Sequence, residues 1–91
     1  MDFGEAIKKL KNGKPVQRKG WNGKGQFVYY VPAAKYPAMT EVAKLIAENG
    51  NVSYNAYLAL KTVQGSVSTW VPSITDLFAE DWIVLDCSSN Q

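Results

Sequence analysis

Two short stretches of this 91-residue chain hold side chains that could recognise a small charged molecule. The first is Arg18-Lys19-Gly20-Trp21-Asn22-Gly23-Lys24, in which cations surround a single indole. A phosphate-bearing ligand would find countercharge there while its base stacks on the ring. A solvated basic helix followed by a surface loop would have the same composition. The second is Trp70-Val71-Pro72-Ser73-Ile74-Thr75-Asp76, where a tryptophan at a strand end leads into a helix start. The free backbone N–H groups of a helix start can meet anionic or hydroxyl groups. Ser73, Thr75 and Asp76 are suited to ribose hydroxyls or amide donors. Equally, Ser73 and Asp76 can simply cap the helix they begin.

Most catalytic chemistry lacks its residues. With no histidine and one cysteine, zinc sites of the usual Cys/His kinds and histidine-based triads cannot be assembled. Gly20, Gly23 and Gly25 have neither the spacing nor the Gly-Lys-Ser/Thr ending of a phosphate-binding loop. Glu80 and Asp81 are neighbours in sequence, which does not amount to a paired-carboxylate site. Cys87 stands in a polar tail without a basic neighbour to activate it, and is expected to be inert. No metal and no cofactor is expected, and the chain reads as a binder. An enzyme that cleaves a nucleotide with Asp76 or Glu80 as base is the remaining catalytic alternative.

The elements that must position these residues follow from periodicity. Asp2 with Glu5 forms a capping box ahead of Phe3, Ala6, Ile7 and Leu10, one face of a helix that Gly13 and Pro15 end. Val16 to Lys19 reads as a short strand, followed by a loop in which three glycines frame Trp21. Gln26 to Val31 reads as a strand apolar on both faces, hence central or covered by another subunit. Pro32 and Pro37 bracket a loop; Thr40 caps a second helix, with Asn49-Gly50 as its stop. Asn55–Thr62 and Ser66–Val71 form strands joined at Gln64-Gly65. A short helix capped by Ser73 and a last strand, Trp82 to Asp86, complete the order α-β-β-α-β-β-α-β. Trp82 reads as core. The expected fold is α+β: a small antiparallel sheet with short helices, one domain over residues 1–91.

Charge and size point outward. Residues 1–25 carry seven basic and two acidic side chains, residues 26–91 three basic and six acidic, for a net +2. A small nucleic-acid-binding module using the Lys8–Lys24 stretch is thus an alternative, weakened by the acidic second half. A 91-residue chain supports only a modest core. Three Trp, five Tyr and three Phe are many rings for it, so self-association is expected. The lone cysteine fits a reducing compartment. No apolar run reaches bilayer length, and the N-terminus lacks the pattern of a cleaved leader.

The run Met1-Asp2-Phe3-Gly4-Glu5-Ala6-Ile7-Lys8-Lys9-Leu10-Lys11-Asn12-Gly13-Lys14, then Arg18-Lys19-Gly20-Trp21-Asn22-Gly23, resembles the second family of phage Thoeris anti-defence proteins. Ala59-Leu60-Lys61-Thr62 and Trp70-Val71-Pro72-Ser73-Ile74-Thr75-Asp76-Leu77-Phe78-Ala79-Glu80-Asp81-Trp82 extend the likeness. Residues 32–56 match nothing in the pattern and are expected to be a variable segment with an extra helix. The resemblance implies a sponge that binds and holds, without degrading it, a cyclic ADP-ribose isomer of the glycocyclic type made by bacterial TIR proteins. It implies a homotetramer with pockets between subunits, acting in the cytoplasm of the infected host. Some relatives also hold cyclic oligonucleotides. Carried onto this chain, adenine or ribose would lie against Trp21 and Trp70. Arg18 and Lys24 would balance the diphosphate, and Asn22, Ser73, Thr75 and Asp76 would hydrogen-bond ribose and base edges.

Overall fold

A computed structural model describes residues 1–21 and 25–85. Helix α1 (Phe3–Lys11) starts as expected: the Asp2 carboxylate accepts from the Glu5 N–H at 2.9 Å, and Glu5 reaches back to the Asp2 N–H. Its apolar face buries Ala6 and Leu10, with Phe3 and Ile7 packed beside them. Burying a leucine fully is worth about 1.5–3 kcal/mol, which ties this short helix to the sheet beneath it.

Strands β1 (Val16–Arg18), β2 (Phe27–Val31), β5 (Tyr57–Lys61), β6 (Val67–Trp70) and β7 (Trp82–Val84) form one antiparallel sheet in the order β6-β5-β2-β1-β7. β2, apolar on both faces, is its central strand, as its composition requires. Register places Leu60, Val28, Val16 and Val84 in one row across four strands on the face that carries α1. Trp70 sits on one edge strand and Trp82 on the other, yet their ring centroids are 6.0 Å apart. At about 4.8 Å per strand, the edges of a flat five-stranded sheet would lie roughly 19 Å apart. The sheet therefore curls around α1, and the tryptophans close the opening. Helix α3 (Ile74–Phe78) links the two edges.

The segment between β2 and β5 departs from the expected order. Strands β3 (Ala34–Pro37) and β4 (Asn51–Tyr54) pair antiparallel as a separate two-stranded sheet, with α2 (Glu41–Ile46) between them. Pro37 ends β3 opposite Asn51; proline is tolerated at such an edge because no inner neighbour requires its N–H. Thr40 caps α2 as expected, accepting from the Ala43 N–H at 3.0 Å. The helix nevertheless stops at Ile46. Asn49 and Gly50, with φ of 55° and 81°, form the turn into β4 instead of the helix cap. This arm lengthens the molecule to 43 × 29 × 22 Å, with a radius of gyration of 15.5 Å against about 12 Å for a compact chain of this size.

No helix among the described residues is long and apolar enough to cross a membrane. Cys87 and the end of the expected last strand, Asp86, lie outside the described residues.

Candidate ligand-binding site

The two stretches singled out by their chemistry meet at the closure of the curled sheet. Trp21 approaches Trp70 at 6.4 Å and Trp82 at 5.5 Å between centroids, edge-on in both cases. Phe3 completes the cluster at 5.4 Å from Trp82 and 6.4 Å from Trp70. Edge-to-face contacts of this kind stabilise beyond the area they bury. Trp82 is fully buried, as expected of core, and its Nε1–H donates to the Asp76 carbonyl at 3.0 Å. Trp21 and Trp70 are half-buried, and Val71, Ile74 and Phe78, which follow Trp70 in the chain, are strongly exposed.

Arg18 is drawn into a carboxylate clamp. Its Nε donates to Asp81 Oδ1 at 2.9 Å and its Nη1 to Asp76 Oδ1 at 3.0 Å. The hydrogen bond to Asp81, then that to Asp76, raises the guanidinium pKa. Burial pushes the Asp76 carboxyl up, but hydrogen bonds from Ser73 and Arg18 outweigh it and hold the group below its ordinary value. Asp81 is lowered chiefly by its hydrogen bond to Arg18, with help from the Gly20 N–H. One guanidinium between two carboxylates leaves the trio with an excess of negative charge.

Ser73 and Asp76 cap their own helix. The Asp76 N–H donates to Ser73 Oγ at 3.1 Å, and the Ser73 N–H donates to Asp76 Oδ2 at 3.0 Å. Asp76 thus serves the cap, the arginine and the Trp82 indole together. Thr75 lies exposed on the same turn. Asn22 and Lys24 lie outside the described residues. Of the eight candidate residues, the structure brings Arg18, Trp21, Trp70, Ser73, Thr75 and Asp76 into one region.

Two contributors escaped sequence reasoning. Asp81 accepts from the Gly20 N–H at 3.3 Å through Oδ2, and its carbonyl takes the Lys19 N–H at 3.0 Å, so it holds the entry of the tryptophan loop. Lys61 holds the exit: its Nζ donates to the Gly25 carbonyl at 3.0 Å and lies 5.5 Å over the Phe27 ring. Gly25 has φ of +79°, a conformation that side chains disfavour. The contacts of Asp81 span some sixty residues, so no local spacing could have announced them.

The chain as a whole is similar to known proteins. A family model described as "Thoeris anti-defense 2-like domain" matches residues 1–85. A protein of Bacillus phage SP01 named "Thoeris anti-defense 2" is 32% identical over 94 residues, covering 93% of this chain and 94% of the relative. With a family model over residues 1–85 and a relative 32% identical across most of both chains, the chain belongs to the Thoeris anti-defense 2-like family.

Proposed function

We propose that this chain binds a cyclic ADP-ribose isomer of the glycocyclic type and holds it intact, so that the Thoeris effector it would activate stays silent. Family membership supports the coarser part of this reading, a phage anti-defence role. The observation that carries the finer part is the pairing of Trp21 and Trp70, two half-buried indoles far apart in the chain whose rings meet edge-on at 6.4 Å. Stacking on such rings is worth about 1–3 kcal/mol per base. Emptying a trace signal calls for an affinity near nanomolar, about −12 kcal/mol, which stacking on two rings does not reach alone. Pockets enclosed between subunits of a homotetramer supply the rest.

The clamp refines the roles within the site. Arg18, already shared by two carboxylates, fixes the floor of the site, and its remaining N–H donors are the ones left for a ligand. Countercharge for the diphosphate then falls to the cations of the loop itself, exposed Lys19 and, by sequence, Lys24. Thr75 and Asn22 provide hydrogen bonds to ribose and base edges, and the Ser73 and Asp76 side chains do so only beyond the cap they already form. The site of action is the cytoplasm of the infected host, where the signal is made.

A calorimetric titration with cyclic ADP-ribose isomers, followed by heat denaturation and chromatography of the released ligand, tests the reading. Tight binding with the ligand recovered unchanged is expected. Turnover at substoichiometric protein, or no binding at all, overturns it. Nucleic-acid binding through Lys8–Lys24 would show instead as affinity falling steeply with log salt concentration.

A further inference from the structure

Helix α1 covers only part of the sheet. It packs over β7, β1 and β2, and Gly13 and Pro15 forbid its continuation past Lys11. Tyr30 of β2 and Leu58 of β5 are paired directly in register and pack against the same core as the helix. Between them and the last turns of α1 lies a pocket of about 190 Å³, to which the helix contributes Ile7, Leu10 and Lys11. Its walls are almost wholly apolar, and among the described residues Lys11 is the one charged side chain in them. The tryptophan cluster touches the other end of the helix, at Phe3. Phe3 and Lys11 are the first and last residues of α1, about 12 Å apart at roughly 1.5 Å of rise per residue.

We propose that this pocket is a second binding site, for a small carboxylate whose apolar body is about one ring in size. The ring lies among Ile7, Leu10, Tyr30 and Leu58, and the carboxylate meets the Lys11 ammonium. Three observations carry the assignment. An apolar cavity of about 150 Å³ is enough to take up benzene, and this one is larger. Lys11 follows Ile7 by one helical turn, so its stem runs beside the pocket while its ammonium stays in water at the mouth. Lys8, three positions before Lys11, adds a second cation on that flank. The surroundings also hold nothing to neutralise these cations. Every lining residue comes from residues 6–40 or 49–75, two stretches without a single Asp or Glu. Glu5, the acid closest to them on the helix, reaches back to the Asp2 N–H at its start. Among the described residues neither Lys8 nor Lys11 is in an ion pair. The last-turn carbonyls do not occupy them either, since those of Lys8, Lys9 and Leu10 accept from the backbone N–H groups of Asn12, Gly13 and Lys14. An anion with an apolar body finds both its partners here, whereas an amine of the same shape meets only repulsion.

Titrating the full chain with phenylacetate and following amide NMR shifts tests the site. Phenylacetamide and phenethylamine, similar in body and different in charge, are the comparison probes. Phenylacetate is expected to give saturable shifts confined to residues 7–11, 30 and 56–58. It should bind about 5-fold more tightly than phenylacetamide, the upper end for an ion pair at a surface. Lys11→Met should bring these two probes to the same affinity. Lys35→Met, an equal loss of charge on the arm, should leave phenylacetate binding as it is in the wild type. Lys11 is exposed, and an unchanged amide spectrum elsewhere verifies that its variant is folded. The absence of saturable shifts, or shifts centred on Trp21 and Trp70 instead, overturns the proposal. So does phenethylamine binding as tightly as phenylacetate, or a Lys11→Met variant that still prefers the carboxylate. The pocket shares no residue with the proposed nucleotide site, so a chain that fails to bind cyclic ADP-ribose isomers but passes these tests defeats that reading alone.

Discussion

Arg18 and Asp81 stand 63 positions apart in the chain and meet at 2.9 Å, Arg18 Nε donating to Asp81 Oδ1. The other Asp81 oxygen takes the Gly20 N–H, and the Trp21 N–H donates to the Arg18 carbonyl at 3.1 Å. One carboxylate thereby fixes both the arginine and the backbone that presents Trp21. Asp81→Asn keeps the shape and removes the charge that the arginine and the glycine amide share. It is expected to lower the melting temperature and to shift Trp21 emission toward that of a solvated indole, with weaker ligand binding as the consequence. Arg18→Lys should not substitute, because an ammonium lacks the fork that spans two carboxylates. Unchanged emission and stability in Asp81→Asn would show that the loop is held by other contacts.

The same clamp sets a pH dependence. Asp76 and Asp81 both have folded-state pKa values below the ordinary aspartate value of about 4. Groups lowered on folding contribute stability that is complete above that ordinary value and is lost as pH falls through the folded-state values. Unfolding midpoints should therefore drop below about pH 4, and Asp81→Asn should flatten part of that acid limb. An identical acid limb in the variant would remove Asp81 from the account.

Trp82 closes the sheet from beneath, buried to 1% exposure with its indole N–H on the Asp76 carbonyl. Truncating a buried tryptophan to alanine costs about 3–5 kcal/mol, close to the whole stability of a domain this small. Trp82→Ala is expected to be largely unfolded at 37 °C. Trp82→Phe keeps most of the packing and loses the hydrogen bond, at roughly 1–3 kcal/mol. Denaturant unfolding followed by circular dichroism orders the three proteins; a wild-type midpoint in Trp82→Ala would mean that the cluster does not hold the fold.

How much of this was legible in the sequence depended on how far apart the deciding residues lie. Asp2, Thr40 and Ser73 were readable as caps because a cap and its partner are three residues apart. The central place of β2 followed from its two apolar faces, and Trp82 as core from its apolar setting. Strands β3 and β4 were not readable: prolines mark the first as loop, Asn51 and Ser53 make the second polar, and each is defined only by the other across the arm. In the site, the types of Trp21 and Trp70 were informative, but their meeting depends on the curl of the sheet. Arg18 looked like a free cation because the two carboxylates that occupy it come from the far end of the chain.

Trp21 and Trp70 belong to the cluster that closes the fold, so alanine variants would confuse lost binding with lost packing. Graded replacements separate the two. Phenylalanine retains an aromatic face, whereas leucine fills much of the space without one. If a base or ribose stacks there, removing the face at either position should weaken binding by about 5- to 150-fold, the equivalent of about 1–3 kcal/mol. Affinity should fall in the order Trp, Phe, Leu at both positions, measured by calorimetry well below each variant's melting temperature. Stability should follow volume instead, with Phe and Leu close together. Leucine variants that bind as tightly as the wild type would make both rings closing contacts of the sheet and move the ligand elsewhere on the molecule.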